Sequence, residues 1–280
     1  MVVTDPIGLL LAAILGLLVG SFLNVVIHRL PKMMERRWAQ ECAELSGHPP
    51  PEGKPFNLVT PRSHCPACQT PIHWYQNVPV LSWLALRGRC GQCGAGISAR
   101  YPLVELVTGG LFAYSFARHG LSVSTLAWCL FAAALVSLAF IDWDTTLLPD
   151  DITLPLLWGG LIAAALQWTS VPLVDALWGA VAGYLSLWSI YWLFKLATGK
   201  EGMGYGDFKL LAALGAWFGW QALVPIILMA SVIGAIVGIA LKVFSRLREG
   251  GYVPFGPFLA GAGFAALFFG PQAILGAIGL

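Results

Sequence analysis

Long apolar runs separated by short polar stretches dominate the pattern along this chain. Eight such runs predict helices over residues 7–27, 102–117, 121–141, 152–169, 173–194, 208–222, 223–242 and 254–279. Runs of about 20 apolar residues are what an α-helix needs to cross the hydrocarbon core of a bilayer. The pattern therefore predicts an all-α polytopic membrane protein with about eight transmembrane helices.

The first and sixth runs each admit an alternative. The first lies where a signal peptide would, but it is long and lacks a preceding basic stretch and a small-residue cleavage site. These features favour an uncleaved span. The sixth run is short, contains Gly215 and Gly219, and continues almost directly into the seventh. An interpretation with seven spans is therefore the alternative.

Composition agrees with a membrane protein. Apolar residues make up 58% of the 280 residues and charged residues only 11%, whereas soluble domains carry about 25% charged residues. The formal net charge of +2 gives no indication of nucleic-acid binding. We expect the lipid bilayer as a partner and no nucleic acid.

The positions of lysine and arginine predict the orientation. With eight spans, the segment 29–101 and the loops 195–209 and 242–248 lie on one side and hold every lysine and arginine except Arg118. Loops rich in these residues stay in the cytoplasm. Both termini are then expected on the outer side of the membrane. Seven spans would break this partition, so eight are preferred.

The segment 29–101 is the sizeable non-membrane piece. It follows a first span that ends near residue 28 and precedes a helical membrane region, 102–280. Within the segment, residues 33–47 predict an interfacial amphipathic helix. The proline-rich stretch 48–61 predicts irregular structure.

Two Cys-x-x-Cys pairs, Cys65 with Cys68 and Cys90 with Cys93, predict a cytoplasmic zinc-ribbon-like module between spans 1 and 2. Four thiolates complete a tetrahedral zinc site with no open position, which is typical of a structural site. The spacing between the pairs slightly exceeds the usual template. Redox thiols or chance are the alternatives. Cys129 is expected in the core of a span.

Two carboxylates, Asp142 and Asp207, lie at span boundaries on the predicted cytoplasmic side. Gly204 and Gly206 precede Asp207 and would allow a close backbone approach. If the carboxylates meet, one holds a proton while the other is charged. Such a pair can activate a water and protonate a leaving amine. The residues leave open a catalytic dyad, an ion-binding pair or a structural pair.

The remaining acidic residues have simpler interpretations. Asp150 and Asp151 precede the fourth run and suit the first turn of a helix. Asp144 is expected to be solvated, and Asp175 to lie at a helix start. Glu105 lies one turn into the second span, where a charged group needs a partner, and the sequence does not indicate one.

The motifs in combination resemble those of the bacterial type IV prepilin peptidases. The resemblance rests on "GMGYGDFKLLAALGAWFG", "IDWDTTLLPD", "GSFLNVVIHRLP", "RYPLVELVTG" and the two cysteine pairs. It covers nearly the whole chain. A lone Gly-x-Gly-Asp would be weak, because presenilin-type proteases share it.

The resemblance implies a bifunctional enzyme of the bacterial inner membrane. It would remove the basic leader of type IV prepilins or type II secretion pseudopilins on the cytoplasmic side, then N-methylate the new N-terminal residue with S-adenosylmethionine. Asp142 and Asp207 would be the aspartyl dyad of a protease domain over 102–280. Gly204, Gly206 and Lys209 would belong to the active-site loop, and Cys65, Cys68, Cys90 and Cys93 would bind zinc in a domain over 29–101.

Within this resemblance, Asp142 is preferred to Asp144 because Pro149 follows it by seven positions. The methyl-donor site and the oligomeric state stay unassigned. The cytoplasmic module and the "GSFLN" segment are the candidates for the methyl-donor site. Asn24 in that segment could equally make an interhelical hydrogen bond. A carboxylate-bearing transporter and a non-catalytic assembly scaffold are the alternative functions. The transporter is disfavoured because the acidic groups cluster on one side rather than at the midplane.

Overall fold

The computed structural model describes residues 5–49, 55–244 and 253–277. These residues form ten α-helices and two short 3-10 helices, Trp74–Asn77 and Trp220–Ala222, and no strand. The α-helices are α1 Pro6–Leu45, α2 Leu81–Ala85, α3 Arg100–His119, α4 Val123–Thr145, α5 Asp150–Ala165, α6 Leu173–Thr198, α7 Tyr205–Phe218, α8 Leu223–Val243, α9 Gly256–Phe269 and α10 Pro271–Ala277. The all-α prediction is confirmed. The chain divides into two compact units, residues 1–133 and 134–280.

Each predicted apolar run contains helix, and four stretches are long and apolar enough to cross a membrane. These are Pro6–Leu45, Val123–Thr145, Leu173–Thr198 and Trp220–Val243. Eight crossings therefore stay a prediction. The last run, 254–279, is two helices, because Gly270 with φ of 80° ends α9. Lys54, Arg246, Arg248 and both chain ends lie outside the described residues.

Helix α1 is longer than the sequence pattern predicts. The side chain of Asp5 accepts a hydrogen bond from the Ile7 N–H at 3.1 Å, and Pro6 occupies the first helical position. The helix continues without interruption through Pro31 to Leu45. The predicted boundary at residue 28 lies inside it, and the predicted helix over 33–47 forms its last part, ending two residues early at Leu45.

Helices α1 and α3 approach closely within the first unit. A methyl group added at Gly20 would lie 2.7 Å from the Cα of Glu105. Small residues at such a crossing bring backbones together. The side chain of Asn24 donates to the Tyr101 carbonyl at 3.1 Å. Asn24 therefore makes the interhelical hydrogen bond that was one of its two interpretations.

Helix α7 occupies the interior of the second unit and packs against α5, α6 and α9. Apart from Lys209, its residues from Asp207 to Trp217 are buried. An apolar helix without a polar face is typical of such a position. Gly215 does not break the helix; a side chain there would collide with the backbone of Gly179 in α6. Gly219, with φ of 81°, ends it.

Candidate active site

Asp142 lies near the end of α4 and is only 4% exposed. Its Oδ2 accepts a hydrogen bond at 2.8 Å from the backbone N–H of Gly256, the first residue of α9. N–H groups in the first turn of a helix have no partner within the helix and favour negative charge nearby. The start of α9 therefore solvates the Asp142 carboxylate in place of water.

Asp207 lies in the first turn of α7 and is 7% exposed. Its Oδ2 accepts a hydrogen bond from the Gly204 N–H at 3.2 Å, and its own N–H donates to the Gly204 carbonyl at 3.3 Å. The buried Oδ1 has no hydrogen-bond partner among the described residues. Asp207 thus caps its helix with one oxygen and keeps the other unpaired.

The two carboxylates interact electrostatically. Asp207 lies outside the four long apolar stretches, and burial raises its pKa to about 7, with the nearby Asp142 carboxylate adding to the effect. The Gly204 N–H opposes this shift of the pKa. Two close carboxylates do not readily ionise together. Near neutral pH this pair can therefore hold one proton and one negative charge.

Gly204 and Gly206 differ in what surrounds them. A methyl group on Gly206 would lie 2.6 Å from the Cβ of Leu148, in the segment that joins α4 to α5. A methyl group on Gly204 would come no closer than 3.9 Å to an atom beyond its chain neighbours. Gly206 therefore lets α7 approach the segment after the Asp142 helix, whereas no close approach requires a glycine at residue 204.

Lys209 lies within α7 rather than in the loop before it. Its Nζ donates to both carboxylate oxygens of Asp150 at 2.7 Å. Both side chains are partly exposed, and such pairs contribute about 0–1 kcal/mol. Asp150 is in the first turn of α5, as predicted. The pair joins the starts of α5 and α7.

The other acidic residues singled out in the sequence have their own surroundings. Glu105, in the first unit, is buried, and its Oε2 accepts a hydrogen bond from the Val80 N–H at 2.8 Å. This backbone partner is not visible in the sequence. Asp144 is exposed, and Asp175 lies in the first turn of α6, where it accepts from Gln221.

The four predicted cysteine ligands form one cluster in the first unit. Their sulfur atoms all lie within 4.8 Å of one another, and those of Cys65 and Cys93 are 3.8 Å apart. Zinc–sulfur bonds of about 2.3 Å in a tetrahedron place the sulfurs about 3.8 Å apart. The cluster therefore fits a zinc ion.

The two Cys-x-x-Cys turns share one backbone pattern. The Cys65 N–H donates to the Thr70 carbonyl at 3.0 Å, and the Cys90 N–H donates to the Ala95 carbonyl at 2.8 Å. The turns include Gln69 and Gly94, whose φ values are 60° and 71°. A repeated turn with thiols facing one point is what a structural metal site requires.

The residue that the sequence interpretation missed is Gly256. It lies 114 positions from Asp142, beyond several helices. The available signal was a Gly-Pro step at the start of an apolar run, which marks a helix start. That signal identifies the helix but not the carboxylate to which its first N–H donates.

Two protein-family models match consecutive parts of this chain. The family model "Bacterial Peptidase A24 N-terminal domain" matches residues 14–119, and "Type IV leader peptidase family" matches residues 129–239. The chain belongs to the type IV leader peptidase family.

Several relatives carry the name prepilin leader peptidase/N-methyltransferase. The relative from Stutzerimonas stutzeri is 53% identical, with 96% of this chain and 93% of the relative covered. The relative from Aeromonas salmonicida is 55% identical, with 93% and 90% covered. The relative from Pseudomonas aeruginosa is 52% identical, with 96% and 93% covered. No solved structure matches.

Proposed function

We propose that this chain is a prepilin leader peptidase and N-methyltransferase in which Asp142 and Asp207 carry out the peptide cleavage. The observation that carries the assignment is the pair of buried, interacting carboxylates, each with one oxygen bound by a backbone N–H. The family and the names of its relatives support leader cleavage and methylation as the two reactions.

The two carboxylates divide the work of hydrolysis. Ionised Asp142 accepts a proton from a water molecule as the water oxygen bonds to the scissile carbonyl carbon. Protonated Asp207 gives its proton to the leaving nitrogen as the carbon–nitrogen bond breaks. The raised pKa of Asp207 keeps that proton available near neutral pH. Proton exchange with solvent then restores the starting state.

The cysteine cluster supplies structure to this enzyme rather than chemistry. Cys65, Cys68, Cys90 and Cys93 would hold zinc with all four positions taken by protein. A loop region with few buried apolar residues gains a fixed shape from such a site. S-adenosylmethionine is the methyl donor for the second reaction, and its site stays unassigned.

The setting of the proposed enzyme is the bacterial inner membrane. The four long apolar stretches indicate a membrane protein, and the relatives are bacterial. The lysine and arginine distribution supports a cytoplasmic active site and periplasmic termini. Prepilins or pseudopilins, themselves helical and apolar after a basic leader, would reach the carboxylates from within the bilayer.

The decisive experiment is cleavage of a purified prepilin by detergent-solubilised variants. Asp142→Asn and Asp207→Asn should each lower kcat by at least about a thousandfold, because each removes one of two required proton-transfer groups. Asp144→Asn is the matched control, since Asp144 is exposed and only two residues from Asp142. It should cleave at close to the wild-type rate.

Other outcomes would separate the alternatives. Full cleavage by either Asn variant would refute the dyad as assigned. A wild-type protein that neither cleaves nor methylates prepilin, yet binds it, would point to the assembly scaffold. Proton or cation flux across proteoliposomes that depends on Asp142 and Asp207 would point to the transporter.

A further inference from the structure

We propose that Gly256 is a positioning residue for leader cleavage, whose backbone N–H holds the Asp142 carboxylate in its working orientation. The inference rests on the proposed function, because it acts through Asp142. Gly256 is the first residue of α9, and its N–H donates to Asp142 Oδ2 at 2.8 Å. A bond of this length to a carboxylate is a strong, charge-assisted contact.

The contact leaves no space for a side chain at residue 256. An added Cβ would lie 2.6 Å from Oδ2 and 3.1 Å from Cγ of Asp142, and 3.2 Å from Cδ1 of Leu148. Real Cβ atoms do not approach an oxygen so closely, so the carboxylate or the start of α9 would have to move. Glycine is therefore required here by the carboxylate itself.

Helix α9 provides a fixed base for this donor. Pro257 occupies the second helical position, where its fixed φ suits the first turn and its missing N–H costs nothing. The following residues Phe258 and Leu259 are buried. The N–H of Gly256 is thus set in place before any substrate arrives, which is how donors contribute most to catalysis.

The donor also distinguishes the two carboxylates. Asp142 receives a hydrogen bond of 2.8 Å from the Gly256 N–H, and a short bond of this kind favours the ionised carboxylate. Asp207 receives a longer bond, 3.2 Å, from Gly204, and its Oδ1 has no partner among the described residues. This asymmetry assigns the charge to Asp142 and the proton to Asp207.

The test compares two changes at residue 256 with the same changes at Gly261. Gly256→Ala adds the obstructing methyl group. Glycolic acid incorporated at residue 256 replaces the N–H by an ester oxygen and adds no atom that could collide. Gly261 lies in the same helix, and a methyl group there would meet nothing within 4 Å. Cleavage of a prepilin and methylation of an already cleaved pilin are both measured.

Both changes at residue 256 should lower kcat for cleavage by about tenfold to a hundredfold, the range for losing a hydrogen bond to a charged group. The KM for prepilin and the methylation rate should stay within about twofold. Both changes at Gly261 should leave kcat unaffected. Gly263→Ala, which would press on Leu214, should lower the unfolding temperature without this selective loss of kcat.

The outcomes keep this inference apart from the proposed function. An inactive Asp142→Asn variant alongside wild-type kcat in the ester variant would overturn the role of Gly256 and leave the dyad standing. Cleavage by Asp142→Asn would overturn the dyad and this inference with it. An equal loss of cleavage and methylation in the ester variant would show a structural role only.

Discussion

At the scale of single residues, the two glycines before Asp207 have different surroundings and should respond differently to substitution. Gly206→Ala would force a methyl group to 2.6 Å from the Leu148 Cβ. Overpacking of this kind costs about 1–3 kcal/mol, and here it would move the start of α7 that carries Asp207. We expect lower thermal stability and at least a tenfold lower cleavage rate.

Gly204→Ala is the matched comparison for this prediction. An added methyl group there has ordinary clearance, and φ of −85° with ψ of 155° suits any residue. The N–H that donates to Asp207 is retained. Cleavage should stay within about threefold of wild type. Equal losses in the two variants would show that space at Leu148 is not what Gly206 provides.

At the scale of elements, the cysteine module makes a direct prediction about metal content. Metal analysis of the purified, reduced protein should find about one zinc ion for each chain, since the four sulfurs lie within 4.8 Å of one another. Cys65→Ser combined with Cys93→Ser should abolish zinc binding, because it removes one ligand from each turn. Cys42→Ser is the control, because Cys42 is exposed and outside the cluster.

Two results would count against this interpretation of the module. Folded wild-type protein without zinc would remove the metal site. Zinc retained by the double variant at the wild-type level would place the ion elsewhere. Loss of zinc with cleavage preserved would agree with a structural site that is separate from the carboxylates.

Helix positions were predictable from the apolar pattern, but helix lengths and surroundings were not. An apolar run predicts a buried helix but does not show whether lipid or protein surrounds that helix. The run over 208–222 therefore predicted α7 without indicating that α5, α6 and α9 surround it. The pattern predicted two separate helices over 7–27 and 33–47 and missed that α1 continues from one into the other, because charged residues with high helix propensity extend a helix after its apolar part ends.

At the scale of the whole molecule, the sequence predicted the two carboxylates and the four cysteines because each belongs to a local motif. Chain-distant backbone contacts have no such signal. The donors to Asp142 and Glu105 are N–H groups that any non-proline residue possesses, so Gly256 and Val80 could be identified only from the structure. The side chain of Leu148 lies next to Gly206 in α7 and next to Gly256 in α9, and the sequence indicated neither approach.

The number of membrane crossings is also a property of the whole molecule. The choice between seven and eight crossings depends on whether α7 passes through the bilayer. Its 14 residues extend about 21 Å, less than the hydrocarbon core of about 30 Å. The lysine and arginine partition nevertheless requires α7 to cross, since otherwise Lys242 would lie opposite Lys200. We therefore expect residue 200 in the cytoplasm and residue 220 in the periplasm.

Cysteine labelling of intact cells tests this expectation. In a Cys42→Ser background, Trp220→Cys should react with a membrane-impermeant thiol reagent, because the side chain of Trp220 is 51% exposed. Lys200→Cys is also at an exposed position and should react only after the cells are permeabilised. Its labelling after permeabilisation shows that the thiol itself is reactive. Labelling of both residues from one side would favour seven crossings, with α7 as a helix that enters the protein interior without passing through the bilayer. The proposed cytoplasmic location of Asp207 depends on the Lys200→Cys result alone, since Asp207 and residue 200 lie at the same end of α7 whether or not α7 crosses.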